Sequence, residues 1–209
     1  MSLDLYEHIY RPPTGNDPRT LVCLHGTGGT AKDFARIGAI VAPDAAVLSL
    51  TGNVDEQGMA RFFRRMGESL YDMADLARRT DELDTFLGTA FAHYERDGHH
   101  GIGVGYSNGA NILANLLFKN PRRLAGYALM HPLIPFDPAP NAAIAGARVL
   151  ITAGERDPIC PLPMTVHLSE WLDEQKADVQ RLTHQGGHEL RQEEVERLTD
   201  WLEPERVNA

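Results

Sequence analysis

The chain has few cysteines and no long apolar run. Its two cysteines, Cys23 and Cys160, are too few for a disulfide scaffold and fit a reducing compartment. No apolar stretch approaches the roughly 18 residues that a membrane-spanning helix needs. Residues 1–11 carry charged side chains, among them Asp4 and Glu7, where a signal peptide would need an apolar segment. We therefore expect a cytoplasmic protein.

Basic residues are also scarce. The chain has 20 Lys and Arg against 29 Asp and Glu, a formal net charge of −9. This balance argues against nucleic acid or an anionic membrane as a partner, because both bind clustered Lys and Arg. A length of 209 residues supports one sizeable core and leaves little for a second. We expect a single domain over residues 1–209, a monomer or homodimer, with a small-molecule partner.

Short apolar runs alternate with longer amphipathic segments, a pattern typical of parallel strands joined by helices. Strands are predicted over 5–11 (an edge strand), 21–24, 45–50, 102–105, 124–130, 148–153 and 178–182. Helices are predicted from near residue 31, and over 75–97, 108–119, 161–175 and 191–202. Residues 51–74 show neither period and are expected to be irregular. The prediction is an α/β fold with a mainly parallel sheet, helices on both faces and no separate lid domain.

The stretch Gly105-Tyr106-Ser107-Asn108-Gly109 matches Gly-x-Ser-x-Gly, a sharp strand-to-helix turn that exposes a serine hydroxyl. A side chain at Gly105 or Gly109 would collide with the neighbouring strand or helix. With 19 glycines but only five serines in the chain, random order would give about 0.04 such matches. The alternative is a glycine turn without a catalytic role. Ser107 is therefore the candidate nucleophile.

A serine hydroxyl is a weak nucleophile until a neighbouring base takes its proton and a carboxylate orients that base. Asp157 and His188 each follow a separate predicted strand, as Ser107 does. In open parallel sheets, reactive groups collect beyond the carboxyl ends of the strands. The chain order Ser107, Asp157, His188 is the order of the α/β hydrolases. These three residues are the candidate catalytic triad.

Each partner of Ser107 has a rival nearby. Glu155 could supply the carboxylate, but Asp157 lies deeper in its loop and precedes a proline that fixes the turn. His184 could supply the base, but it lies near a strand end and could be a surface residue. The Gly186-Gly187 pair instead gives His188 a loop that can approach closely. Asp157 and His188 are therefore preferred.

The glycine-rich loop 26–30 follows another predicted strand. Backbone N–H groups directed at the oxyanion of a tetrahedral intermediate lower the barrier to acyl transfer. Thr27 and Asn108 are the expected donors, and Asn108 also begins a helix whose N-terminal end favours negative charge. The alternative is a nucleotide site, because residues 26–31 imitate the dinucleotide fingerprint. That fingerprint needs an acidic residue near 50–53, and none is present.

Together these segments resemble the small carboxylesterase/phospholipase branch of the α/β-hydrolase superfamily, which includes the acyl-protein thioesterases. The matching segments are Leu-His-Gly-Thr-Gly-Gly (24–29), Gly-Tyr-Ser-Asn-Gly-Ala (105–110), Gly-Glu-Arg-Asp-Pro-Ile-Cys-Pro (154–161) and Gly-Gly-His (186–188). The resemblance implies a Ser-His-Asp esterase without a cofactor. Residues 52–65 are similar to a bacterial subgroup of predicted hydrolases, some of them linked to hydroquinone or catechol stress. Cys160 stands where many relatives have valine, a departure that leaves the triad intact.

The segment 52–66 combines arginines and phenylalanines in a net acidic chain. We expect it to cover one side of the substrate pocket. The expected contacts are Phe62 and Phe63 for apolar groups, and Arg61, Arg64 or Arg65 for a substrate carboxylate. The alternative, at least as well supported, is a surface turn with its aromatic rings in the core.

These patterns predict hydrolysis of small carboxylic esters, aryl esters among them, through an acyl-serine intermediate. Thioesterase or lysophospholipase activity would use the same side chains. A ligand-binding protein on a hydrolase scaffold is the alternative from another class. No metal site is predicted, because the two glycines between His184 and His188 oppose a helical ligand pair.

Overall fold

The computed structural model describes residues 2–67 and 69–203, and its centre is a seven-stranded sheet. The strands are β1 His8–Arg11, β2 Thr20–Leu24, β3 Ala46–Leu50, β4 Val54–Glu56, β5 Met59–Arg61, β6 Arg65–Gly67, β7 Leu70–Tyr71, β8 Gly101–Tyr106, β9 Gly126–Met130, β10 Arg148–Gly154 and β11 Asp178–His184. The helices are α1 Ala31–Val41, α2 Met73–His93, α3 Asn108–Lys119, α4 Leu162–Glu174 and α5 Gln192–Leu202. The sheet order is β1-β3-β2-β8-β9-β10-β11. All neighbours pair in parallel except the edge strand β1, which is antiparallel to β3.

Both faces of the sheet are covered, and this explains the continuous apolar strands. In β2, Val22 and Leu24 pack into one core while Leu21 and Cys23 pack into the other, because successive side chains point to opposite faces. The first core takes side chains from α2, α3 and α4, and the second from α1 and α5. A strand buried on both faces cannot alternate apolar and polar residues. The predicted mainly parallel sheet with helices on both faces is confirmed.

The helix boundaries follow local capping. The Thr30 hydroxyl accepts the Asp33 N–H at the start of α1, and the Asp33 carboxylate accepts the Thr30 N–H in return. Asp72 caps α2, which therefore begins two residues before the predicted position 75. Within residues 2–67 and 69–203, no helix combines the length and apolarity needed to cross a bilayer.

The expectation of an irregular segment over 51–74 is wrong. The segment contains two hairpins, β4–β5 and β6–β7. The first turns at Gln57 and Gly58, both with positive φ, which suits a two-residue hairpin loop. Its strands are only three residues long, too short to show an alternating period. The Gly28 N–H donates to the Ala60 carbonyl at 2.9 Å, so this hairpin lies against the glycine-rich loop.

Candidate active site

Ser107 occupies the turn between β8 and α3 with a φ of +52°, a left-handed conformation that non-glycine residues rarely adopt. A Cβ atom at Gly105 would come within 2.6 Å of the Gly109 carbonyl oxygen, and one at Gly109 within 2.2 Å of the Leu24 carbonyl oxygen. Both positions therefore require glycine. The Ser107 N–H donates to the Met130 carbonyl at 2.8 Å and attaches the turn to β9.

Three side chains from separate loops meet at the carboxyl end of the sheet. The distance from Ser107 Oγ to His188 Nε2 is 3.0 Å, and from His188 Nδ1 to Asp157 Oδ2 it is 2.8 Å. Both distances are hydrogen-bonding distances. The Asp157 side chain is fully buried, whereas that of His188 is 17% exposed. The arrangement allows the imidazole to take the serine proton while the carboxylate fixes its tautomer.

The two rival residues lie elsewhere. Glu155 is exposed, in contrast to the buried Asp157 two positions later. His184 is buried, so the expectation that it could be a surface residue is wrong. Strand β11 extends to His184, two residues beyond its predicted end, and carries the ring to within 3.2 Å of Glu194 on α5.

The loop that carries His188 is attached to the rest of the site. The Tyr106 hydroxyl, next to Ser107 in sequence, donates to the His188 carbonyl. The Arg156 N–H donates to the Gly186 carbonyl at 2.9 Å, which joins this loop to the one that carries Asp157. The serine turn and the acid-bearing loop thus both position the imidazole.

The glycine-rich loop is held by a buried histidine and an arginine. His25 Nδ1 donates to the Gly26 carbonyl at 2.5 Å, and Nε2 accepts the Gly52 N–H at 2.9 Å. Burial lowers the pKa of His25, which suits a neutral ring that donates through one nitrogen and accepts through the other. Arg61 Nη1 donates to the Thr27 hydroxyl at 2.6 Å. These contacts fix the loop from which an oxyanion donor is expected.

A cavity of about 320 Å³ opens above Ser107. Its lining includes Thr27, Asn108 and His188, so both expected oxyanion donors share the cavity with the expected base. Arg61 and Arg65 also line it, together with Met59, Tyr71, Tyr106, Asn111, Leu133, Ile159 and Cys160. The hairpins of the 52–71 segment therefore form one wall of the cavity.

Three of the expected substrate contacts are wrong. Phe62 and Phe63 are fully buried in the core, because their rings pack against Tyr6 and Tyr71 rather than against the cavity. The side chain of Arg64 is 62% exposed and pairs with Asp72 at 3.0 Å, so it does not line the cavity. In a non-periodic segment, sequence does not show which side chains face inward.

A second buried polar group lies behind Asp157, and the sequence reasoning missed it. His131 Nδ1 lies 2.7 Å from Asp157 Oδ2, and His131 Nε2 lies 3.1 Å from Glu194 Oε1. All three side chains are fully buried. His131 directly follows β9, so the rule that singled out the other loops at the carboxyl end of the sheet could have found it.

These contacts lower the pKa of both carboxyl groups, Asp157 and Glu194. Burial raises the pKa of Asp157, but hydrogen bonds from the Cys160 amide, His131 and His188 outweigh burial and hold it below its ordinary value. Burial likewise raises the pKa of Glu194, and hydrogen bonds from His131, Thr152 and the Arg191 amide outweigh it. Both groups are therefore carboxylates at neutral pH.

Three buried side chains behind Asp157 are of types that can bind a metal ion. The donor atoms of His131, His184 and Glu194 lie within 4.8 Å of one another. However, His184 Nδ1 accepts the Gly186 N–H at 3.0 Å, which leaves the ring proton on Nε2, the nitrogen that faces Glu194. A protonated nitrogen has no lone pair for a metal. Hydrogen bonds therefore account for this group.

No family model matches the chain, but individual known proteins show which family it belongs to. The putative hydrolase MhqD of Bacillus subtilis is 39% identical over 195 residues, which cover 93% of this chain and 96% of that protein. The structure of the Bacillus cereus carboxylesterase has 40% identity and a TM-score of 0.89, covering 94% of this chain and 93% of that one. The chain belongs to the carboxylesterase-like α/β hydrolases.

A second solved structure is even more similar in sequence. Protein Atu2452 of Agrobacterium tumefaciens, of unknown function, has 46% identity and a TM-score of 0.86, covering 97% of this chain and 98% of that one. Because the similarity extends over nearly the whole chain, the predicted α/β-hydrolase fold is confirmed. The protein is an esterase-like hydrolase.

Proposed function

We propose that this α/β hydrolase cleaves small carboxylic esters through an acyl-serine intermediate. Ser107 is the nucleophile, His188 the general base and acid, and Asp157 the residue that orients the imidazole. The observation that supports this most strongly is the unbroken contact series, 3.0 Å from serine oxygen to imidazole and 2.8 Å from imidazole to carboxylate.

The proposed reaction follows the positions of these groups. His188 Nε2 takes the proton of Ser107 as its oxygen adds to the ester carbonyl. The backbone N–H groups of Thr27 and Asn108 stabilise the resulting oxyanion. His188 then gives that proton to the alcohol oxygen as the tetrahedral intermediate collapses, so that the alcohol leaves and the acyl-serine remains. Water then adds to the acyl-serine and gives a proton to His188, which passes it to Ser107 Oγ as the carboxylic acid leaves.

The charge at the cavity wall favours esters that carry a carboxylate. Arg61 and Arg65 line the cavity, and both pair with Glu56, at 3.6 Å and 3.0 Å. Two guanidinium groups against one carboxylate leave a net charge of +1 among these three residues. Guanidinium groups bind carboxylates through paired hydrogen bonds. We therefore propose that the acyl or leaving group carries a carboxylate near this wall.

A series of p-nitrophenyl esters from acetate to octanoate tests the reaction. Ser107→Ala is expected to lower kcat/KM about 10⁴-fold or more, because it removes the attacking oxygen. Ser69→Ala is the matched control, because Ser69 is an exposed serine. The proposal is wrong if Ser107→Ala keeps wild-type turnover. A wild type that binds these esters without hydrolysing them would support the ligand-binding alternative.

A pair of aryl acetates, with and without a para-carboxylate on the ring, tests the substrate class. Arg65→Ala is expected to lower kcat/KM about tenfold for the carboxylate ester and less than about twofold for the neutral ester. Arg64→Ala is the matched control, since its guanidinium faces Asp72 and not the cavity. An equal effect of Arg65→Ala on both esters would contradict the carboxylate preference and leave the proposed reaction intact.

A further inference from the structure

Asp157 accepts hydrogen bonds from two imidazoles on the same oxygen. His188 Nδ1 and His131 Nδ1 lie 2.8 Å and 2.7 Å from Asp157 Oδ2. The other oxygen, Oδ1, accepts the N–H groups of Ile159 and Cys160, each at 2.8 Å. Four donors therefore fix this carboxylate. The proposed reaction uses only one of the two imidazoles, and His131 remains to be explained.

The partners of His131 determine its protonation. Nδ1 faces the Asp157 carboxylate and Nε2 faces the Glu194 carboxylate. An ionised carboxylate only accepts hydrogen bonds, so a neutral ring would direct one lone pair at another lone pair. A ring protonated on both nitrogens satisfies both contacts. The preferred state of His131 is therefore an imidazolium between two carboxylates.

Other titratable groups surround His131. His184, at the end of β11, lies 3.4 Å from it between the two Nε2 atoms, and Glu194 binds both rings. The rings of Tyr106 and His188 lie at 5.7 and 5.2 Å between centroids. Burial lowers the pKa of His131, but the hydrogen bonds and charges of Glu194 and Asp157 outweigh burial and raise it above its ordinary value.

The backbone of His131 has a conformation that is rare for a residue with a side chain. Its φ is +51°, similar to the +52° of Ser107, and its N–H donates to the Thr152 carbonyl at 2.9 Å. Left-handed residues other than glycine cost free energy and persist where surrounding contacts hold them. The ring of His131 is held through both nitrogens. The strained backbone conformation therefore occurs where the ring of His131 is held between Asp157 and Glu194.

We propose that His131 is a positioning residue that stays protonated between Asp157 and Glu194, and that this buried ion pair sets the pH range over which His188 acts as the base. The inference rests on the proposed function for its kinetic consequence. His131 and Glu194 contribute one charge of each sign, so Asp157 keeps a net charge of −1 facing His188. Removing His131 alone would leave two carboxylates behind His188 and favour its protonated form.

Nitrogen-15 NMR of the histidine side chains in the wild-type protein tests the proton count directly. His131 is expected to show two protonated ring nitrogens throughout the neutral pH range, and its signals are assigned by their loss in His131→Asn. The same spectra should show His184 with a proton on Nε2 alone. A neutral His131 ring at about pH 7 would overturn the proposal. So would stoichiometric zinc in the purified protein.

The pH dependence of kcat/KM on p-nitrophenyl acetate tests the consequence. His131→Asn is expected to move the acidic limb to higher pH by about one unit, because it removes a positive charge near the base. Asparagine tolerates the positive φ at this position. The double variant His131→Asn, Glu194→Gln restores the net charge of −1, and its limb should return to within about 0.2 unit of wild type.

His167→Asn is the matched control, because His167 forms an exposed pair with Asp137 at 2.8 Å. It should leave the acidic limb unchanged. A purely structural role for His131 predicts lower kcat or stability with an unmoved limb, which would overturn the proposal. So would an upward shift that the double variant fails to reverse. If the protein hydrolyses no ester, the proposed function fails, while the NMR result still decides the protonation of His131.

Discussion

The two histidines that contact Asp157 make similar hydrogen bonds but differ in their other neighbours. His188 faces the cavity, is 17% exposed and has the Ser107 hydroxyl on its second nitrogen. His131 is fully buried and has a second carboxylate, Glu194, on its second nitrogen. A base must gain and lose a proton in each catalytic cycle. We therefore expect the neighbour of the second nitrogen to decide which imidazole can gain and lose a proton and which keeps its proton.

The largest effect on catalysis should come from substitution of His188, the proposed base. We expect His188→Asn to lower kcat/KM for p-nitrophenyl acetate about 10⁴-fold, because no other base contacts Ser107 Oγ among the described residues. His131→Asn should lower it about tenfold at the pH optimum, because the base remains. Steady-state kinetics of His188→Asn and His131→Asn measure the two losses in kcat/KM. Equal losses would show that the two rings are not functionally distinct.

Asp157→Asn should affect both rings together. The two backbone N–H groups at Oδ1 would hold the amide oxygen there and direct the amide N–H₂ at both imidazoles. His188 would then carry its proton on Nε2 and could not accept from Ser107. The expected loss in kcat is about 10³- to 10⁴-fold, measured with the same ester. Near-normal kcat would mean that Asp157 does not fix the tautomer, and Glu155→Gln serves as the exposed control.

Of the two imidazoles, the buried ring of His131 should contribute more to the free energy of unfolding. His131→Asn breaks a buried ion pair, and we expect a loss of about 3 kcal/mol in the free energy of unfolding. The raised pKa of His131 means that its contribution is fully present below the unfolded value of about 6.5 and is lost as the pH rises through the folded value. The difference between variant and wild type should therefore shrink at alkaline pH. Urea unfolding across the pH range measures it, and a constant difference would contradict a charged His131.

The smallest effect should come from the hydroxyl that holds the His188 loop. Tyr106→Phe removes the bond to the His188 carbonyl and should lower kcat up to about tenfold, equivalent to about 1.4 kcal/mol. Tyr127→Phe is the matched control, since it removes a hydroxyl bond to the Pro121 carbonyl at 3.1 Å, outside the cavity lining. The positioning role of Tyr106 would be refuted if both variants had the same kcat.

The residues around the cavity could be predicted from sequence where a local pattern fixed their position. Ser107, Asp157 and His188 each follow a strand in a short loop, and parallel strands bring such loops to one edge of the sheet. The two glycines of the serine turn have a steric requirement that is visible in the sequence itself. The proximity of Ser107, Asp157 and His188 follows from the topology of the sheet.

The buried side of Asp157 could not be predicted in the same way. His131 ends an apolar run without a motif to mark it. Glu194 is one of two adjacent glutamates, and only the rotation of α5 against the sheet decides which is buried. The burial of Phe62 and Phe63 has a related reason, because these residues lie between two hairpins with short strands, where the sequence has no period that indicates the inward face.

Labelling with a fluorophosphonate probe is the most direct test for an activated serine at position 107. The probe reacts with a serine that an adjacent base has activated. We expect one probe per chain, located on Ser107 by peptide mapping, and no labelling in His188→Asn. Labelling at another residue, or an unlabelled wild-type protein that is correctly folded, would contradict this expectation.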